Sequence, residues 1–179
     1  EQVIEEKEKK IKKSRKPKIV NNQKGKNFIE TKFERRNKPI IDLGFKKSNL
    51  KIIALGGIDE IGKNITVFEY EDEIILVDCG LEFPEDDMLG VDLVIPDVTY
   101  LVKNKHKIKG LCITHGHEDH IGSIPYVLKQ VNMPIYATKL TARLISHKLE
   151  EHHLLNSAQI NIVEQGQTVD FGKMQVEFI

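Results

Sequence analysis

The sequence predicts a mixed α/β fold of the α+β kind behind a basic N-terminal arm, and three observations predict it. From about residue 50 onward, short apolar runs are punctuated by Gly, Asp and Asn, the texture of strands separated by turns. Two later stretches carry the apolar spacing of helices. The charge balance also changes along the chain: residues 1–50 hold 16 Lys+Arg against 7 Asp+Glu, whereas residues 51–179 hold 11 against 20.

Residues 1–18 are mostly Glu, Lys and Arg with scattered isoleucines, a composition that buries too little apolar surface to offset the entropy of ordering. They read as disordered, or helical only in part. The polar character continues to Asn37, and Phe28, Phe33 and Phe45 are too sparse to make a core. Residues 1–48 are therefore assigned to a low-complexity arm and residues 49–179 to a folded body. A basic arm is a reason to consider nucleic acid as its partner, although solvated basic tails are about as common.

In the body, residues 51–55, 64–70 and 73–77 read as three strands. Glu71 and Asp72 form a tight polar turn between the second and third, which favours antiparallel pairing. Residues 110–114 read as a buried strand, and residues 121–131 have the spacing of a helix leading away from it. Residues 134–137 form another strand and residues 139–153 an amphipathic helix. Residues 160–163, 168–171 and 174–179 complete the strands. Strands dominate the N-terminal part, and no internal repeat is present.

Composition narrows the class further. At 40% hydrophobic content the 179 residues suit one folded domain. The two cysteines, Cys79 and Cys112, stand far apart and outside any CxxC pattern, which argues against a disulfide framework or a cysteine zinc site and for a reducing cytoplasm. No run approaches the roughly 18 apolar residues of a membrane span, and the charged N-terminus lacks the apolar middle of a signal peptide. A soluble, cytoplasmic protein without membrane partners is expected. The chain opens on Glu1 and stops in an alternating, strand-like run, which reads as a fragment of a longer protein.

The chemistry concentrates in residues 115–120, His-Gly-His-Glu-Asp-His. Imidazole nitrogen and carboxylate oxygen suit zinc or manganese, and His115, His117, Asp119 and His120 pack four such donors into six residues, far denser than chance composition supplies. Gly116 lets the backbone turn sharply, so His115 and His117 can serve one metal while Asp119 and His120 serve a neighbour. Two adjacent ions activate a bridging water and stabilise attacking and leaving oxygens, which suits phosphodiester hydrolysis. The segment falls on a strand-to-helix loop, where the positive end of the helix starting near Ile121 would favour an anion. Asp78, at the end of the strand over residues 74–77, is placed to orient a ligand histidine or the loop; a plain turn aspartate is the alternative.

Other signals carry less. Gly57, Gly62, Lys63 and Asn64 approximate a phosphate-binding P-loop, but Asn64 lacks the magnesium-holding hydroxyl and residues 65–70 read as a strand, not a helix. His147, His152 and His153 are spaced five and six apart, not the four that stacks ligands on one helical face, and read as surface residues. His106 reads as solvent-exposed, and Cys79 and Cys112 as buried hydrophobes.

An Asp at a strand end followed by this histidine pattern resembles the metallo-β-lactamase superfamily, whose fold is an αββα sandwich. Longer stretches narrow the resemblance: residues 54–57 (Ala-Leu-Gly-Gly) with 60–64 (Glu-Ile-Gly-Lys-Asn), then 78–86 (Asp-Cys-Gly-Leu-Glu-Phe-Pro-Glu-Asp), 89–97 (Leu-Gly-Val-Asp-Leu-Val-Ile-Pro-Asp) and 113–122 around the histidines. Together they resemble the ribonuclease J family closely, from about Lys51 to Ile179 and excluding the arm. The resemblance implies the N-terminal part of the sandwich and a bacterial 5′-to-3′ exonuclease and endonuclease of RNA maturation and decay. It also implies two zinc ions, a β-CASP insertion, and assembly as a dimer, a tetramer or within an RNA-decay complex. Family members carry further histidine and aspartate ligands that this chain lacks, so the chain alone is expected to be inactive. By the same resemblance Gly90 and Asp92 match a loop that binds structural calcium in some members, although acidic loops are usually just solvated.

Two other readings compete with a ribonuclease. A thioesterase-like or lactamase-like hydrolase could use the same loop, or the chain could be a non-catalytic RNA-binding or assembly fragment. The stretches from Asp78 to Asp97 weigh against the first, and four intact donors against the second.

Overall fold

The computed structural model describes residues 49–179. The expectations for the arm, residues 1–48, fall on residues outside that range. The larger sheet has six strands in sequence order, β1 (Leu50–Gly56), β2 (Ile65–Tyr70), β3 (Glu73–Val77), β4 (Ile108–Cys112), β5 (Ile135–Thr138) and β6 (Ile160–Val163). The first three pair antiparallel, and β3 to β6 run parallel. The switch arises from connection length. Two residues, Glu71 in the left-handed region and Asp72, suffice to turn β2 back on β3. Each parallel pair instead needs a crossover, and each crossover contains helix: α1 (Thr99–Lys103) before β4, α2 (Glu118–Ile121) and α3 (Ile124–Leu128) before β5, and α4 (Lys139–Glu151) before β6. Two strands, β7 (Gln167–Asp170) and β8 (Gln175–Phe178), form a separate antiparallel sheet.

The pleat decides which side chains meet which layer. On β3, Ile74 and Leu76 point into the main core with Leu111 and Ile113 and with Ile135 and Ala137 of β5. The same core takes Leu101 of α1, Ile121 of α2, Ile124 and Val127 of α3, and Ala142, Ile145 and Leu149 of α4. The alternate residues Ile75, Cys112 and Tyr136 face the other way, against Phe171, Val169, Val176 and Phe178 beside and within the small sheet. Helices thus cover one face of the larger sheet and a second sheet part of the other, three of the four layers of an αββα sandwich. A strand covered on both faces loses its alternation, which is why residues 74–77 (Ile-Ile-Leu-Val) read as an unbroken apolar run. Ile74, Leu76, Leu111, Ile135 and Ile145 are each at most 1% exposed, and full burial of such a side chain contributes roughly 1.5–3 kcal/mol.

Two helical expectations need correction. The single helix expected over residues 121–131 is instead two short pieces, and the first starts at Glu118. Ser123 breaks it: its hydroxyl donates to the Gly80 carbonyl (2.6 Å) and its N–H to the Cys79 carbonyl (3.0 Å), while Pro125 starts the next helix. Asp119 and His120 therefore lie in a helical turn rather than a loop. With four residues, and Glu118 and Asp119 in its first turn, α2 lacks the positive end expected to attract an anion. The strand expected over residues 110–114 runs two residues earlier, and α1 had no periodic signal long enough to announce it.

One buried charge ties α1 to the sheet. Glu69, 2% exposed on the core face of β2, accepts from Lys107 Nζ (2.8 Å), Lys51 Nζ (3.2 Å) and the Tyr100 hydroxyl. Lys107, then Tyr100, hold its pKa down from 4.5 to about 2, and the same contact pushes the Tyr100 hydroxyl up to about 12. A depressed carboxylate pKa gives stability that is present above pH 4.5 and lost as pH falls toward 2. Glu69→Gln is expected to cost about 2 kcal/mol at pH 7, below the full linkage value because both lysines remain partly solvated, and to flatten the acid limb between those limits. Urea denaturation across pH 2–7 measures both.

Candidate metal centre

The centre forms where two adjacent parallel strands end. Asp78 follows β3 and the histidine segment follows β4, the carboxyl end of the sheet, where open α/β folds place their sites. A four-residue helix leaves most of its carbonyls without helical partners; only Glu118 O accepts one such bond, from Gly122 N (2.8 Å). In α2 they are taken up by two neighbouring loops: Glu118 O accepts from Leu81 N (3.1 Å), Asp119 O from Asn64 N (3.2 Å) and His120 O from Cys79 N (2.7 Å). Gly80 N in turn donates to Asn64 O (2.9 Å), so the loops before β2 and after β3 hold α2 between them. The approach is close enough that a Cβ on Gly80 would lie 1.6 Å from Asp119 O.

Asp78 is 6% exposed and sits in the left-handed region at φ 63°. Its Oδ1 accepts from the N–H of Thr114 (2.9 Å), and the Thr114 hydroxyl lies 2.9–3.0 Å from both carboxylate oxygens. Its Oδ2 accepts from Nδ1 of His120 (2.8 Å). Because a carboxylate only accepts, His120 carries its proton on Nδ1 and turns the Nε2 lone pair outward. The Thr114 hydroxyl spends its proton on Asp78 and can accept from Nδ1 of His115 (3.0 Å), which frees His115 Nε2 in the same way.

The donors meet in two pairs. His115 Nε2 lies 3.1 Å from His117 Nδ1, and His120 Nε2 lies 3.2 Å from Asp119 Oδ2. Neighbouring ligands on one tetrahedral zinc, with bonds of about 2.0–2.1 Å, stand about 3.3 Å apart, so each pair has the spacing of two ligands of a single ion. Among the described residues no three His, Cys, Asp or Glu side chains gather around one point. The donor set thus fits a divalent cation in chemistry and in pairwise spacing, as two half-sites rather than a closed cage. The rings of His115 and His120 lie 4.0 Å apart, centroid to centroid, which sets the half-sites side by side. Glu118 is drawn off by Lys148 of α4 (2.9 Å). A depression of about 470 Å³, lined by Ile61, Phe83, His117 and Asp119 among others, opens beside one donor of each pair.

Residues expected elsewhere in the chain lie away from this centre. Gly90 and Asp92 are exposed on a loop, with Gly90 at φ 80° and no atom within 4 Å of where its Cβ would be. No group of three potential ligands gathers there among the described residues. Residues 57–64 lead into β2 rather than a helix, against a phosphate loop. His106, His147 and His153 are exposed, and His152 packs edge-on against Tyr126 at 5.1 Å. Cys79 and Cys112 are buried; burial, with Asp78 nearby, pushes the Cys79 thiol up and that of Cys112 up to about 12. No described helix is long and apolar enough to cross a membrane. Sequence reasoning assigned no role to Asn64, Thr114 or Gly80, whose contacts to the centre depend on the fold.

Residues 58–175 match the Metallo-beta-lactamase superfamily, and the chain belongs to it; membership implies a divalent metal. The similarity to ribonuclease J read from the sequence is borne out by its relatives. Ribonuclease J 1 of Streptococcus pyogenes serotype M3 is 50% identical over 137 residues, 76% of this chain and 24% of its own length. Ribonuclease J of Synechocystis sp. is 54% identical over 132 residues, covering 73% and 21%, and that of Mycoplasma pneumoniae 56% over 107 residues, covering 59% and 19%. The chain therefore spans about a quarter or less of the length of these curated relatives.

Proposed function

We propose that the chain forms part of the catalytic centre of a metal-dependent ribonuclease of the ribonuclease J kind. In it, His115, His117, Asp119 and His120 contribute to two zinc sites. One observation carries the reading: two pairs of ligand atoms at 3.1 and 3.2 Å, with Asp78 and Thr114 engaging the far nitrogens of His120 and His115. Bound zinc would supply an activated water at neutral pH and a Lewis acid for the phosphoryl oxygen. The chain's own residues orient the donors. Asp78 holds His120 in the tautomer that offers Nε2, Thr114 does so for His115, and Lys148 withdraws Glu118 from competition. RNA as substrate, and combined 5′-to-3′ exonuclease and endonuclease action, are carried over from the similarity to ribonuclease J. A catalytic zinc takes about three protein ligands, so two ions require more than the four donors here. The activity belongs to the whole protein, and the 179 residues alone are expected to be inactive.

The test is cleavage of single-stranded RNA by the whole protein. His117→Ala and Asp119→Ala are expected to reduce turnover to background with little change in melting temperature. Retained turnover would remove the metal assignment, and ester hydrolysis without any RNA cleavage by the unsubstituted protein would favour the thioesterase-like reading.

A further inference from the structure

Asn64 stands just before β2, 55 residues from Asp119 in the histidine segment, and its side chain reaches that residue. Its Nδ2 lies 3.0 Å from the main-chain oxygen of Asp119 and 3.1 Å from Asp119 Oδ2. Both neighbours are acceptors, so the amide presents its nitrogen end, and its two protons are both used on one residue. The third contact, to His120 Nε2 at 3.4 Å, is left without a proton. The donated bonds join the Asp119 carboxylate to that residue's own backbone and so fix its rotamer.

The fixed atom is the one that matters. Oδ2 is the oxygen that lies 3.2 Å from His120 Nε2. An ionised carboxylate oxygen accepts more than one contact, so a bond from Asn64 on one side leaves the other side open toward the histidine. Asp119 is itself 41% exposed along its side chain, and little else restrains it. Without the amide, the carboxylate could rotate into solvent. Asn64 is itself held by main-chain bonds, its N–H to Asp119 O (3.2 Å) and its carbonyl from Gly80 N (2.9 Å), and these do not depend on its side chain.

We propose that Asn64 is a positioning residue of the metal centre: its amide aims Asp119 Oδ2 at the ion shared with His120. The inference rests on the metal-centre reading under the proposed function. A hydrogen-bond partner of a metal ligand typically tunes affinity by about 10–100-fold, so this is the range expected for loss of the amide.

The test uses the full chain titrated with Co²⁺, followed by its visible absorption and by melting temperature. Asn64→Ala removes the side chain, and Asn64→Leu keeps nearly its size while removing the donor. Both variants are expected to melt close to the wild type, to bind cobalt at least about tenfold more weakly and to show an altered ligand-field band. If Leu binds as the wild type does and only Ala is weakened, Asn64 acts by packing and the proposal falls. Unchanged affinity and spectrum in both overturns it as well. If the wild-type chain itself binds no cobalt, the metal-centre reading fails first and takes this inference with it.

Discussion

Asp78→Asn is expected to leave the chain folded while lowering its zinc affinity by about 10–100-fold. The carboxylate does what an amide cannot, receiving the Thr114 N–H on one oxygen and His120 Nδ1–H on the other. Asparagine offers a single acceptor and would turn an N–H₂ toward one of these partners. If Thr114 keeps the oxygen, His120 meets a donor and must place its proton on Nε2, the atom meant for the metal. Asparagine also tolerates the left-handed backbone at φ 63°, so the exchange adds little strain. Asp78→Ala behaves differently. It leaves the Thr114 N–H without its partner and puts alanine in the left-handed region, for a combined cost of about 2 kcal/mol. Calorimetric zinc titration and urea denaturation separate the two outcomes. Wild-type zinc affinity in Asp78→Asn would show that the aspartate is only a turn residue.

Gly80→Ala is expected to cost about 3 kcal/mol or more and to dislodge α2, a larger effect than most single methyl additions. The added carbon would lie 1.6 Å from Asp119 O and 2.1 Å from Asp119 C. Those are backbone atoms, and the oxygen already accepts from Asn64 N, so the obstacle cannot swing away as a side-chain end would. Displacement of Asp119 moves a ligand, so metal binding should fail together with stability. Gly90→Ala provides the contrast. Nothing stands within 4 Å there, and only φ 80° opposes a side chain, for about 1–2 kcal/mol. Equal costs at the two positions in urea denaturation would contradict the packing described around α2.

The fold was legible where one periodicity governs a whole element. Strands β2 and β3 and helix α4 were readable because alternation, a two-residue turn and a 3.6-residue stripe are local properties. The four donors were legible for a related reason: they crowd into six residues, and no tertiary knowledge is needed to see that they can converge. Asp78 could be suggested from its strand-end position, but its partners, Thr114 and His120, depend on β3 and β4 lying side by side. What stayed hidden depends on distant contact. The break at Ser123 arises from a hydrogen bond to Gly80, 43 residues away, and the spacing of apolar residues continues through it undisturbed. Asn64 looked like part of a failed phosphate loop because its partner, Asp119, is 55 residues on. The close approach of Gly80 to Asp119 is invisible to any local rule, since many turn glycines serve only their own φ.

Residues 115–120 are expected to bind zinc through their paired donors. Calorimetric titration of the chain with Zn²⁺, run in parallel on His117→Ala, tests this most directly. The two half-sites predict zinc binding that is weaker than a closed centre would give and that is lost at one half-site when His117 is removed. Identical binding by the chain and the variant would contradict it, whereas tight binding of two zinc ions by the chain would contradict the description of two open half-sites.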